Sequence, residues 1–144
     1  MSLLPPSTND AYRGARISAW YLALAAVLTI APALVHLTLP DGGAQSIAHL
    51  DLGDRRALVV AVFRWEGATQ LALGLAMLGV ALRYRPLTPI FLALNVLERG
   101  LMALDGWVLE PPASGQHPPE HFGSVGAVAL GLVFLALSLR PRPA

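Results

Sequence analysis

The chain has 144 residues, of which 55% are hydrophobic and only 13% are charged. Soluble domains carry about a quarter charged residues, so the composition favours a membrane protein, and the length allows one domain. A formal net charge of +1 argues against a nucleic-acid partner. The chain contains no Cys, which excludes disulfides and thiolate metal sites.

Four apolar stretches each reach the ~20 residues that a membrane-spanning helix requires. We predict an all-α membrane protein, an antiparallel four-helix transmembrane bundle with one domain over residues 17–139. Residues 1–16 are predicted to form a frayed cytoplasmic segment, and residues 140–144 are predicted to form a cytoplasmic tail. The first span is also compatible with a signal peptide, but its apolar run continues past a cleavage site at Ala31-Pro32-Ala33. The predicted spans are residues 17–39, 57–82, 87–109 and 122–139.

The distribution of arginines predicts the orientation, because cytoplasmic loops carry an excess of basic residues. Only Arg55 and Arg56 lie between the first and second spans, beside Asp51 and Asp54. The N and C termini are therefore predicted to be cytoplasmic, with six arginines on that side: Arg13, Arg16, Arg83, Arg85, Arg140 and Arg142.

Small residues recur every four positions on two spans, a pattern that allows helices to approach closely. The second span carries Ala68, Ala72 and Ala76, and the fourth carries Gly123, Ala127 and Gly131. Both stripes predict helix–helix contacts.

Polar residues within the spans are the candidate functional residues, because each ionisable group there costs roughly 2.5–3.5 kcal/mol on insertion scales and usually faces the bundle interior. At ~1.5 Å per residue from the turn at 83–86, Glu66 and Asp105 lie at a depth of ~27 Å and Glu98 and Arg99 at ~17 Å. This predicts a polar pocket in the outer half of the bilayer. The candidate catalytic residues are Glu66, Glu98 and Arg99, and the candidate ligand-binding residues are His36, Arg64, Trp65, Gln70, Asn95 and Asp105.

Two ion pairs are within side-chain reach at these depths, Arg99 with Glu66 and Arg64 with Asp105. Such pairs could also serve only to set the helix register. Glu98 is left without an assigned partner near the midplane, which suits a group that exchanges protons. The alternative is a local contact between Glu98 and Asn95 or Arg99.

The segment His117-Pro118-Pro119-Glu120-His121 matches the H-x-x-E-H pattern of some zinc proteases. That pattern requires a helix through both histidines, which two consecutive prolines disfavour. A site formed by His36 and His121 is a second, weaker candidate. We therefore predict no metal site and no cofactor.

Several short motifs resemble the DoxX-like group of small bacterial membrane proteins. The resemblance covers roughly residues 57–107 and implies a four-span bundle with polar residues on its second and third spans. Some members of that group are accessory subunits of quinone-linked oxidoreductases, which implies a quinone as one candidate ligand. The motifs are Phe63-Arg64-Trp65-Glu66-Gly67, Gly74, Gly79, Arg83, Glu98-Arg99-Gly100 and Leu104-Asp105-Gly106.

Three functions are compatible with these observations. The first is a multi-pass protein of the bacterial inner membrane that binds a lipid, a quinone or another lipophilic small molecule, or that acts as an accessory subunit of a larger complex. The second is a membrane-embedded isomerase or cyclase, with Glu98 as acid–base and Arg99 stabilising negative charge. The third is a proton or solute transport component, which at this chain length requires a homo-oligomer.

Overall fold

Every regular element in the computed structural model, which describes residues 3–113 and 115–141, is helical. Each of the four long helices, the third taken together with the turn that follows it, is long and apolar enough to cross a membrane. The all-α class and the four apolar helices are thus confirmed, whereas insertion and orientation stay predictions. The helices are α1 (Arg16–Thr38), α2 (Arg56–Arg83), α3 (Thr88–Leu104) and α4 (Pro119–Leu139).

The bounds of α1 and α2 agree with the predicted spans to within one residue. The third predicted span ends differently, because α3 stops at Leu104 and Asp105–Leu109 forms a π-helical turn. The fourth helix begins at Pro119 rather than at Phe122. Proline is tolerated in the first helical turn, where its missing N–H has no intrahelical partner to lose.

The helices run alternately up and down. Helix α1 packs along α2, and α3 packs along α4. Both ends of the described chain and the 84–87 turn lie at one end of the bundle, which we call the termini end. Segments 39–55, 105–113 and 115–118 lie at the opposite, distal end. Arg142, one of the six arginines predicted to be cytoplasmic, lies outside the described residues.

The hydrophobic core closes the termini end. Leu22 of α1, Met77 of α2 and Leu92 of α3 are fully buried there and belong to one packed cluster. Beside them, the rings of Tyr21 and Phe134 stack with their centroids 4.2 Å apart, which joins α1 to α4. The four helices therefore meet tightly at this end.

Glycines decide which face of α2 meets α1. A Cβ at Gly67 would lie 2.9 Å from the carbonyl oxygen of Ala33, and one at Gly74 would lie 2.6 Å from Cγ1 of Ile30. These two positions therefore permit a close approach that a larger side chain would prevent.

The predicted small-residue stripes are only partly correct. Gly131 does contact α3, since a Cβ there would lie 2.6 Å from Cγ2 of Val96. A Cβ at Gly123 would meet no heavy atom within 4 Å, so this end of the stripe faces open space. The stripe predicted on α2 is wrong, because the face that carries Gly67 and Gly74 takes the contact and leaves three alanines exposed: Ala68, Ala72 and Ala76.

From residue 3 onward the N-terminal segment is not frayed as predicted, because it supplies hydrogen bonds to the end of α2; the first two residues lie outside the described part of the chain. The amide N–H of Thr8 donates to the carbonyl of Arg83 (3.0 Å), and Nδ2 of Asn9 donates to the carbonyl of Leu82 (2.7 Å). The last carbonyls of a helix have no intrahelical donor. The amide of Ala15 donates to the carbonyl of Leu137 on α4 (3.3 Å), so the segment ties both helix ends together.

Candidate functional site

A cavity of about 730 Å³ separates α1 from α4. Along α1 it extends from Tyr21 to His36, which is ~22 Å at 1.5 Å per residue. The cavity exists because α4 presents small residues to α1: a Cβ at Gly123 or at Gly126 would meet no heavy atom within 4 Å. Its walls are mainly apolar and include Leu24, Leu28, Val35, Ile47, Phe63 and Leu130.

Arg99 forms the polar floor of the cavity, which is the part nearest the middle of the bundle. Its Nη2 donates to Oγ1 of Thr29 (3.3 Å), and its Nη1 donates to Sδ of Met102 (3.7 Å). Its Nε lies 3.8 Å from Oε2 of Glu98. These distances are long for a guanidinium that carries five N–H donors. Arg99 therefore retains capacity to bind another acceptor.

Asn95 lies one turn before Arg99 on α3 and also lines the cavity. Its side chain is buried, with 3% of the residue exposed, yet it makes no hydrogen bond to any residue that the structure describes. Because its amide atoms keep accessible surface in the cavity, a ligand can reach them. Asn95 and Arg99 therefore place an incompletely satisfied polar pair at the floor of an apolar cavity.

His36 and Glu120 line the cavity at its distal end, which we call the mouth. His36 is buried, its Nδ1 lies 2.6 Å from the carbonyl oxygen of Gly42, and its ring packs edge-on against Phe63. The backbone of Gly43 covers the mouth from the loop between α1 and α2.

Neither predicted ion pair forms. Arg99 pairs with Glu98, its neighbour in sequence, instead of with Glu66. Arg64 and Asp105 are both exposed and are not in contact with each other. The physical reason is that α2 packs on α1 and α3 packs on α4, so that α2 and α3 are not close neighbours along their length.

The remaining predicted residues divide into buried and exposed ones. Gln70 is buried and its Nε2 donates to Oε1 of Glu66 (2.9 Å). Glu66 is half-buried and lies within electrostatic range of His36 and Arg99 without lining the cavity. Trp65 is 73% exposed on the outer face of α2. Of the nine predicted site residues, the cavity brings together three: His36, Asn95 and Arg99.

Glu98 contacts Arg99, which is the local contact that the sequence offered as the alternative. Its carboxylate faces Arg99, and its Oε2 is buried and accepts no hydrogen bond from the described residues. Glu98 does not line the cavity.

Histidines at the distal end form a contact that the sequence did not predict. Nδ1 of His117 lies 2.9 Å from Nδ1 of His121, and His117 stacks on Trp107 with centroids 3.9 Å apart. His117 precedes α4, so the segment is not one continuous helix through both histidines. No group of three or more metal-ligating side chains is found within residues 3–113 and 115–141.

Sequence reasoning missed Thr29 and Glu120 as parts of the site. Thr29 could have been identified from the sequence, because it is a polar residue in an apolar span. It also lies seven residues, about two helical turns, before His36 and therefore on the same face of the helix. The position of Glu120 at the mouth could not be predicted from the sequence, because it depends on where α4 begins.

Comparison with known proteins found no matching family model, no matching curated protein and no matching solved structure.

Proposed function

We propose that this chain is a small multi-pass membrane protein that binds an elongated lipophilic molecule in the cavity between α1 and α4. The observation that carries the proposal is the pairing of an apolar cavity of about 730 Å³ with a floor formed by Arg99 and Asn95. Small-molecule sites in proteins have this composition and this range of volume, mostly apolar with a few placed polar groups. The floor supplies N–H donors, so the ligand carries an acceptor oxygen.

The ligand would enter from the side. α1 and α4 meet at the Tyr21–Phe134 stack, and beyond it both helices line the cavity, so its opening would lie between them. In a bilayer this opening faces acyl chains, from which a lipophilic molecule can enter without crossing water. The location would be the bacterial inner membrane, as a single chain, a homo-oligomer or a subunit of a larger complex, and the motifs support membership of the DoxX-like group.

A cavity-filling substitution tests the proposal. The protein is reconstituted in nanodiscs and titrated with cis-parinaric acid, a fluorescent fatty acid. We expect saturable binding above that of empty nanodiscs, and a loss of at least about tenfold in affinity in Gly126→Phe, whose new side chain would occupy the cavity. Gly79→Phe is the matched control, because Gly79 also has open space beside it but lies on α2 away from the cavity.

Absent binding to the wild-type protein would contradict the proposal, as would unchanged affinity in Gly126→Phe.

A second variant tests the polar floor. Asn95→Leu removes a cavity-lining amide that bonds to no described residue, so we expect weaker binding of cis-parinaric acid together with an equal or higher melting temperature. Loss of both binding and stability would instead indicate that Asn95 has a structural role.

The acid–base enzyme and the transport component stay predictions. No observation at the site specifically favours either function. The enzyme hypothesis depends most on Glu98, which faces Arg99 and does not line the cavity.

A further inference from the structure

The mouth of the cavity carries a carboxylate without a counter-charge. Glu120 lines the cavity from the first turn of α4 and is partly exposed. It forms no hydrogen bond and no ion pair with the residues that the structure describes, and His36, which also lines the mouth, contacts the carbonyl oxygen of Gly42 instead. Because the carboxylate oxygens of Glu120 keep accessible surface, a ligand in the cavity can reach them.

The surroundings of Glu120 are acidic. The carboxylate of Glu66 lies within electrostatic range of it, and the two repel each other when both are ionised. The segments at the distal end, residues 40–56 and 105–121, contain six acidic residues and only two basic ones. A cation at the mouth is therefore attracted, whereas an anion is repelled. The acidic residues are Asp41, Asp51, Asp54, Asp105, Glu110 and Glu120, and the basic ones are Arg55 and Arg56.

The floor has the opposite preference and lies at a defined distance from the mouth. Arg99 and the buried Asn95 present N–H donors there. Val128 marks the level of the floor on α4, since a Cβ at Gly100, the residue after Arg99, would lie 3.9 Å from Cγ2 of Val128. Glu120 precedes Val128 by eight residues, so the two polar regions are ~12 Å apart along the helix axis. A single small group cannot reach both, whereas an elongated lipid can.

We propose that the ligand is an aminolipid, an acyl lipid whose ammonium group pairs with Glu120 while an ester or phosphate oxygen accepts hydrogen bonds from Arg99 and Asn95. Its acyl chain fills the apolar part of the cavity. This inference rests on the proposed function, because it assigns the chemical class of the ligand in the same cavity. A hydrogen bond between an ammonium group and a carboxylate is stronger than one between neutral groups, so the pairing favours this class over other lipids.

Two probes that differ in charge test the assignment: oleoyl-lysophosphatidylethanolamine and its N-acetyl derivative. Acetylation keeps the chain, the ester and the phosphate but removes the positive charge. Each probe displaces cis-parinaric acid from the protein in phosphatidylglycerol nanodiscs, with partitioning into empty nanodiscs subtracted. We expect the free amine to displace at a concentration at least about fivefold lower than its acetylated form, and Glu120→Gln to remove this preference.

Glu110→Gln is the matched control, because Glu110 is an exposed carboxylate of the same end that does not line the cavity. It should keep the preference for the amine. A preference that survives in Glu120→Gln, or that is lost equally in Glu110→Gln, would overturn the assignment of the ammonium group to Glu120.

The outcomes separate the two proposals. Absent binding of cis-parinaric acid to the wild-type protein would overturn the proposed function itself. Saturable binding of that acid with equal displacement by the two probes would leave the cavity as a lipid site and overturn only the aminolipid. Should Glu120→Gln fail to fold, the comparison of the two probes on the wild-type protein still decides.

Discussion

Arg99 shows how a buried charge is held in this bundle. Its ion-pair partner is the preceding residue in the chain, Glu98, which lies about 100° round the helix, and the long arginine side chain makes the 3.8 Å contact reachable. Its Nη2 turns instead toward Thr29 on α1. The ion pair therefore lies within one helix, whereas the hydrogen bond joins the two helical hairpins.

A double-mutant cycle distinguishes the observed pairing from the predicted one. We expect Arg99→Gln and Glu98→Gln to couple by about 1–3 kcal/mol, because each single substitution leaves the other group buried without its partner. Arg99→Gln and Glu66→Gln should couple less, since Glu66 bonds with Gln70. The measurement is unfolding in detergent micelles. Stronger coupling with Glu66 than with Glu98 would show that the predicted pair forms.

At the scale of elements, glycines set the distance between α1 and α2. The exposed alanines of α2 were predicted to make this contact and do not, because glycine allows a closer approach than alanine and the face with Gly67 and Gly74 therefore packs inward.

Gly74→Ala should destabilise the protein by about 1–3 kcal/mol, because the added methyl group would lie 2.6 Å from Cγ1 of Ile30 and 3.3 Å from the carbonyl oxygen of Ala26. The matched control is Gly79→Ala on the same helix. It meets no heavy atom within 4 Å and should be neutral or stabilising by up to about 1 kcal/mol, since alanine favours the helix. Equal unfolding temperatures for the two variants would contradict this account of the α1–α2 contact.

The loop over the cavity mouth is organised by one carboxylate. Asp41 accepts hydrogen bonds from the backbone amides of Gly43 (3.0 Å), Gln45 (3.0 Å) and Ser46 (2.7 Å). The bonds from Ser46 and Gly43 are the main reason that the pKa of Asp41 is well below its ordinary value. The same loop supplies Gly43, so the ionised carboxylate holds one wall of the mouth in place.

This shift predicts how the loop responds to pH. A carboxyl whose native pKa is lowered stabilises the fold above its ordinary pKa of about 4, and the stabilisation is lost as the pH falls toward the lower native value. We expect residues 41–48 to keep their hydrogen-exchange protection, corrected for intrinsic rates, from pH 7 to about 4 and to lose it below. Asp41→Asn should lose protection already at pH 7, while Asp51→Asn in the same loop should not. A pH-independent difference between wild type and Asp41→Asn would contradict the mechanism.

At the scale of the whole molecule, the two ends of the bundle differ. The termini end is closed by the hydrophobic core and by the N-terminal segment, whereas the distal end opens into the cavity. Arg83 and Arg85 lie at the same end as both ends of the described chain, so the predicted cytoplasmic arginines that the structure describes lie together. Helix α2 has 28 residues and is ~42 Å long, so in a bilayer with a hydrocarbon core of ~30 Å it would extend beyond the core or tilt.

Orientation is tested by fusions to the C terminus. Green fluorescent protein should fluoresce there and alkaline phosphatase should be inactive, because the arginine-rich end stays in the cytoplasm. An active phosphatase fusion would reverse the orientation and would place the cavity mouth on the cytoplasmic side.

The sequence by itself determined the elements. Long apolar runs fold as helices in a membrane-like solvent whatever their neighbours, since every backbone group must bond within the helix, and the four predicted spans accordingly match the four observed helices closely. The expectation that polar residues in apolar spans face the interior also identified Asn95, Arg99 and His36, which are buried. Which helices are neighbours depends on close contacts at a few glycines and on the resulting crossing of the two hairpins. Only the tertiary structure decided this, and with it the pairing of Arg99 with Glu98, the exposure of Arg64 and Asp105, and the cavity between α1 and α4.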